Sequence, residues 1–89
     1  MLGRYILKFK DVEGNPIKFT PVTAINYSNV FSLSEMNLTN DDGIAVFWFF
    51  TLVKTIKIQT YIGYHKLPIT QINRGKIFEL IVPEECIDE

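Results

Sequence analysis

Few residues in this chain are of types that do chemistry, and their spacing decides what they can do. Asp41-Asp42-Gly43 invites a calcium reading. A calcium loop, however, needs several oxygen ligands at alternating acidic positions and a closing glutamate. Two adjacent aspartates before a glycine read better as a turn. His65 is the only histidine, and hydrolytic chemistry would require a nucleophile and an orienting group beside it. The serines are Ser28, Ser32 and Ser34, and none sits in a nucleophile motif. Cys86 is the one cysteine, which excludes an intrachain disulfide and any multi-cysteine metal site and reads as an inert thiol. An intermolecular disulfide would need an oxidising compartment. The residues therefore point to no catalytic role, no cofactor and no metal. Asn26-Tyr27-Ser28 and Asn37-Leu38-Thr39 match the N-glycosylation pattern, which matters only on a secreted chain.

Aromatic side chains offer a different chemistry, that of contact. Trp48 and Tyr61 could stack on sugar rings or bases. A nucleic-acid platform normally lies in a basic groove, and the nine basic and ten acidic residues are spread along the chain with a net charge of −1. Nucleic acid is thus not an expected partner. A carbohydrate remains possible, as does a protein partner or a second copy of the chain.

The elements that must position these residues are strands. Period-two alternation recurs along the sequence, and turn residues interrupt it at regular intervals. Tyr5, Leu7 and Phe9 fall on one face, with Arg4, Lys8 and Lys10 opposite. Val22, Ala24 and Asn26 alternate with Thr23, Ile25 and Tyr27, and Ile56, Ile58 and Thr60 alternate with Lys57, Gln59 and Tyr61. Turns are expected at Glu13 to Pro16, where Gly14 permits unusual φ and Pro16 stops a strand, and at Asn40 to Gly43. Residues 28–37 read either as a strand near Phe31 to Met36 or as a long loop. "IFELIV" forms a last strand, stopped by Pro83.

The segment "IAVFWFFTLV", Ile44 to Val53, is the most apolar in the chain. It is half the roughly 20 residues that a membrane-spanning helix needs. A chain of 89 residues cannot supply a convincing eight-stranded membrane barrel either. No membrane insertion is expected, and the run reads as a strand. The sum is an all-β domain, a small antiparallel β-sandwich of six or seven strands over residues 1–83, with a fraying acidic tail at 84–89. The opening "MLGRYILKFKDVEG" lacks the apolar stretch of a signal peptide. A complete chain would then be cytoplasmic, and one excised from a longer protein could be extracellular.

Three stretches carry a family resemblance: "DVEGNPIKFTPVTAINY", "LTNDDGIAVFWF" and "TIKIQTYIGYHK". The pattern resembles the carboxypeptidase-regulatory-like and transthyretin-like β-sandwiches, and also bacterial Ig-like repeats. Gly14-Asn15-Pro16-Ile17 fills the first shared element, Thr39, Asp42, Gly43, Ala45 and Phe47 the second, and Gly63-Tyr64 the third. The resemblance implies that Ala45, Phe47 and Phe49 point inward, leaving Ile44, Val46 and Trp48 outward. Such an outer face is ordinarily polar. Here it is not, so Ile44, Val46, Trp48 and Tyr61 form the candidate contact surface, covered by a partner, another copy or residues 28–37. Transthyretin-like folds include hydroxyisourate hydrolases, but their several histidines and C-terminal motif are missing. The expected function is non-enzymatic, a module for protein–protein contact or self-assembly. Binding of a carbohydrate or small ligand is the alternative.

Overall fold

The computed structural model describes residues 2–27 and 33–87; residues 28–32, with Ser28 and Ser32, lie outside the described residues. The fold is an all-β sandwich of two sheets. Strands β1 (Leu2–Lys10), β4 (Ile44–Phe50) and β8 (Ile77–Ile81) form one sheet in the order β4-β1-β8. The second sheet orders β3 (Leu33–Leu38), β2 (Pro21–Asn26), β5 (Thr55–Ile62) and β6 (His65–Lys66), with β7 (Thr70–Asn73) also paired to β5. Among the described residues the expected six or seven strands become eight segments, because β6 and β7 share the far edge of β5 in turn. The described helical content is one 3-10 turn, Glu84–Cys86.

Alternation builds the core. Tyr5, Leu7 and Phe9 from β1, Ala45, Phe47 and Phe49 from β4, Val22 and Ala24 from β2, and Ile56, Ile58 and Ile62 from β5 are all buried. The rings of Phe47 and Phe49 stack at 6.4 Å, and Tyr5 tilts against Phe49 at 6.1 Å. Each large buried side chain contributes about 1.5–3 kcal/mol. Pro21 opens β2, and Pro16, Pro68 and Pro83 lie outside the strands, where the missing donor costs nothing.

Three expectations are corrected. First, β8 pairs with β1 in parallel, unlike every other strand pair. The chain leaves β7 in one sheet and crosses at Arg74–Gly75, where the Gly75 N–H donates to the Arg4 carbonyl at 2.8 Å. It thus enters the other sheet beside the start of β1 and must run the same way. Second, the strand expected to reach Val53 ends at Phe50. Third, the tail does not simply fray: Cys86 and Ile87 pack against the core.

The two expected turns meet each other. Phe9 donates its N–H to the Gly43 carbonyl at 2.8 Å and accepts from the Ile17 N–H at 3.0 Å. Gly43 has φ of 75°, and a Cβ there would run into the Phe9 carbonyl oxygen. Only glycine fits that place. Asn40, rather than Asp42, organises the turn. Its Oδ1 accepts the N–H groups of Asp42 (2.8 Å) and Ile44 (3.0 Å), while Asp41 and Asp42 stay exposed.

Candidate functional site

The outer face of the β4-β1-β8 sheet carries the unexpected apolar residues. Strand register arranges them in rows: Phe50 beside Leu2, Trp48 beside Arg4, then Val46 beside Ile6 with Ile77 beyond. The next row, Ile44-Lys8-Glu79, is mixed, and Lys10 pairs with Glu79 across the strands at 2.7 Å. That ion pair holds the Glu79 carboxyl below its ordinary range. One half of the face is therefore mainly apolar, with Arg4 within it, and the other mixes Lys8, Lys10 and Glu79 with Ile44 and Ile81. Ile44 and Val46 are half-buried by their neighbours, while Trp48 is 47% and Phe50 63% exposed.

The free edge of β4 is closed by side chains. Glu35 and Asn37 point inward from β3, on the same face as buried Ala24 and Val22. At the sheet's corner they reach β4 instead of the core. Asn37 Nδ2 donates to the Val46 carbonyl at 2.9 Å, and the Trp48 N–H donates to Glu35 Oε1 at 3.3 Å. Inward polar groups of this kind blunt an edge against further strand pairing. The Trp48 ring stands clear of this closure.

Beyond Phe50, where β4 ends, the chain makes a braced tip. Thr51 is buried and its hydroxyl accepts the Val53 N–H at 3.2 Å. Tyr5, buried in the core, donates its hydroxyl to the Val53 carbonyl at 3.3 Å. Burial raises the Tyr5 pKa, and the nearby Arg74 charge opposes that rise. The Arg74 N–H donates to the Lys54 carbonyl at 2.9 Å. These bonds fix residues 51–54 and thrust Leu52 outward at 89% exposure. The sequence signal was present in "FFTLVK": a threonine in an apolar run, with no further alternation after it.

Tyr61 does not join this surface. It lies on the outer face of the other sheet, across from Thr23 and Lys66. Ile44, Val46 and Trp48 are brought together, and Tyr61 is separated from them by the core. A platform using both Trp48 and Tyr61 is therefore not built. Gln59, expected outward beside Tyr61, is buried, and its amide donates to the Leu67 and Thr60 carbonyls.

The remaining candidates stay apart. His65 on β6 and Ser34 on β3 occupy opposite edges of a sheet ordered β3-β2-β5-β6, three strand spacings or on the order of 14 Å apart. Among the described residues no group of three His, Cys, Asp or Glu side chains could hold a metal. Nor, among the described residues, is any helix long and apolar enough to cross a membrane. Among the described residues, one cleft of ≈ 90 Å³ lies beside Ile17, Ile62 and Cys86 and another of ≈ 160 Å³ beside Asp11, Glu13 and Glu84. Both are below the roughly 300 Å³ at which ligand pockets begin.

Comparison with protein-family models found no match, and searches of curated proteins and of solved structures found none either.

Proposed function

We propose that this protein is a non-enzymatic β-sandwich module, of the carboxypeptidase-regulatory-like, transthyretin-like or Ig-like kind, that works through protein–protein contact or self-assembly. The observation that carries the reading is the apolar half of the β4-β1-β8 outer face: Leu2, Trp48, Phe50 and Ile77 are exposed around Ile6 and Val46. Contiguous apolar patches on a monomer mark interaction sites, and this one carries Trp48 as an aromatic anchor, with Arg4 among the apolar residues and Lys8 at its border. These residues line neither of the two clefts, which favours a protein surface over a small ligand, since the latter needs a concave site. The placement of Gly14 and Gly43 at positive φ in the two family-like turns supports the kinship.

The test is sedimentation of the wild type and of Trp48→Glu, alone and with candidate protein partners. The reading expects association that the substitution weakens while the thermal melt changes little. A wild type that never associates with itself or with any protein, and a mutant that behaves identically, would remove it.

A further inference from the structure

The net charge of −1 conceals a separation of charge along the sandwich. At one end the hydrogen bonds from Gly75 to Arg4 and from Arg74 to Lys54 gather Arg4, Lys54, Arg74 and Lys76 around the apolar tip of Phe50, Leu52 and Val53. The nearest acid there among the described residues is Glu35, whose carboxylate accepts the Trp48 N–H. At the opposite end lies the turn that follows β1, with Asp11 and Glu13. Glu84 lines the same cleft as that pair. The Asp41-Asp42 turn belongs to this end as well, because the Gly43 carbonyl is bonded to Phe9. Lys10 at that end is already paired with Glu79, leaving Lys18 and Lys66 as the other lysines against the acids. The acidic end also shows apolar groups: Val12 and Phe19 are exposed, and Tyr64 is 99% exposed. Phe19 holds a left-handed φ of 49°, a conformation costly for a bulky residue.

We propose that the basic, apolar tip docks on the acidic end of a second copy, so that copies join head to tail. The inference rests on the self-assembly reading above and narrows its surface to the end where Phe50, and Arg4 beside Trp48, join the sheet face to the tip. Each end offers what the other lacks in charge and shares in apolar exposure. A net charge near zero removes the long-range repulsion that keeps like molecules apart. The contact is heterologous, so unless a rotation closes it into a ring it extends as copies are added. An anionic lipid surface would suit the basic tip but would leave the acidic, apolar end without a role. Complementarity within one molecule therefore favours the second copy. Exposed charge pairs are individually weak and salt-screened, so the apolar residues supply adhesion and the charges supply orientation.

Sedimentation velocity over a concentration series, at low and high salt, tests the arrangement with two charge-reversed variants. One carries Arg4→Glu, Lys54→Glu and Lys76→Glu; the other carries Glu13→Lys, Asp41→Lys and Glu84→Lys. The wild type is expected to grow past dimer with concentration, with about tenfold weaker association at high salt. Each variant alone should be monomeric, and an equimolar mixture should associate again, which also certifies that both are folded. Should a triple variant not fold, Lys54→Glu and Asp41→Lys singly should each weaken association several-fold. A closed dimer, a wild type monomeric throughout, or a mixture of folded variants that stays monomeric would overturn the proposal. Association that survives both reversals yet is lost in Trp48→Glu would keep self-assembly on the sheet face and overturn the end-to-end contact. Binding of monomers to anionic vesicles without self-association would overturn it in favour of a membrane.

Discussion

The carbonyl oxygen of Phe9 occupies the space into which any side chain on Gly43 would project. Positive φ and this contact act together at Gly43, whereas Gly14 has positive φ with nothing within 4 Å of its missing Cβ. Gly43→Ala should therefore cost more than about 2 kcal/mol, and Gly14→Ala only about 1 kcal/mol. Denaturant titration of both variants checks the difference. Equal losses would mean that strain alone matters and that the two turns do not dock through Phe9.

Asn40 and Asp42 separate by the same method. Asn40 Oδ1 accepts two N–H groups at the turn, so Asn40→Ala should cost about 1–2 kcal/mol. Asp42→Ala should change stability by less than about 0.5 kcal/mol. The opposite ranking would return the turn to the aspartate.

Thr60 is buried on the inner face of β5, and its hydroxyl has no hydrogen-bond partner among the described residues. Thr60→Val keeps the shape and removes the unpaired group. Thermal and denaturant melts should show no loss, and a gain of up to about 1 kcal/mol. A loss of that size would reveal a partner for the hydroxyl in solution.

Acid should loosen the fold through two surface carboxylates. The backbone N–H of Asn15 chiefly, then that of Glu13 and the Asn15 side chain, hold Asp11 below its ordinary pKa of 3.8. Lys10 does the same to Glu79, below 4.5. A carboxylate whose folded pKa is depressed stabilises fully above its unfolded pKa and loses that contribution as pH falls through the folded value. Stability should therefore decline below about pH 4.5, and Asp11→Asn with Lys10→Met should flatten that decline. An unchanged acid limb in the double variant would show that other groups control it.

Trp48→Glu should weaken association more than it weakens folding, since the ring stands outward while Phe47 and Phe49 fill the core. Burying a large side chain is worth about 1.5–3 kcal/mol, and half of Trp48 is already covered by its neighbours, so the expected loss is tenfold or so in the association constant. Ultracentrifugation and melts of both forms decide. Simple unfolding of the mutant would place Trp48 in the core.

Much of this was legible along the strands and little of it across them. Period two placed Tyr5, Leu7 and Phe9 together on one face, and they are buried; in β4, apolar on both sides, the inward placement of Ala45, Phe47 and Phe49 came from the family resemblance instead. Sheet membership is not written locally. Trp48 and Tyr61 both alternate outward, yet their strands lie in different sheets, and only the pairing reveals that they face apart. The parallel placement of β8 beside β1 depends on a crossing at Arg74–Gly75, between residues about 70 positions apart in sequence, where alternation is silent. Asn40 was hidden by two aspartates that look like better turn formers. Gln59 reads as a solvent-facing residue until the loop carrying Leu67 folds over it.

The parallel pair has a mechanical consequence. Leu2 begins β1 at one end of the sandwich, and Ile81 closes β8 at the other. Tension applied at the two ends of the chain would pull these neighbouring strands in opposite directions along their length. The ladder between Ile6–Lys10 and Ile77–Ile81 would then be loaded in shear, all of its bonds sharing the force at once. Peeling β8 away from its Gly75 end would break the same bonds singly. Force spectroscopy with attachment at Leu2 and Ile87 should therefore require a markedly higher unfolding force than attachment at Leu2 and Gly75, which lie at the same end of the two strands, and equal forces would refute the expectation. In a head-to-tail row, pulling along the row would meet each copy in its resistant direction.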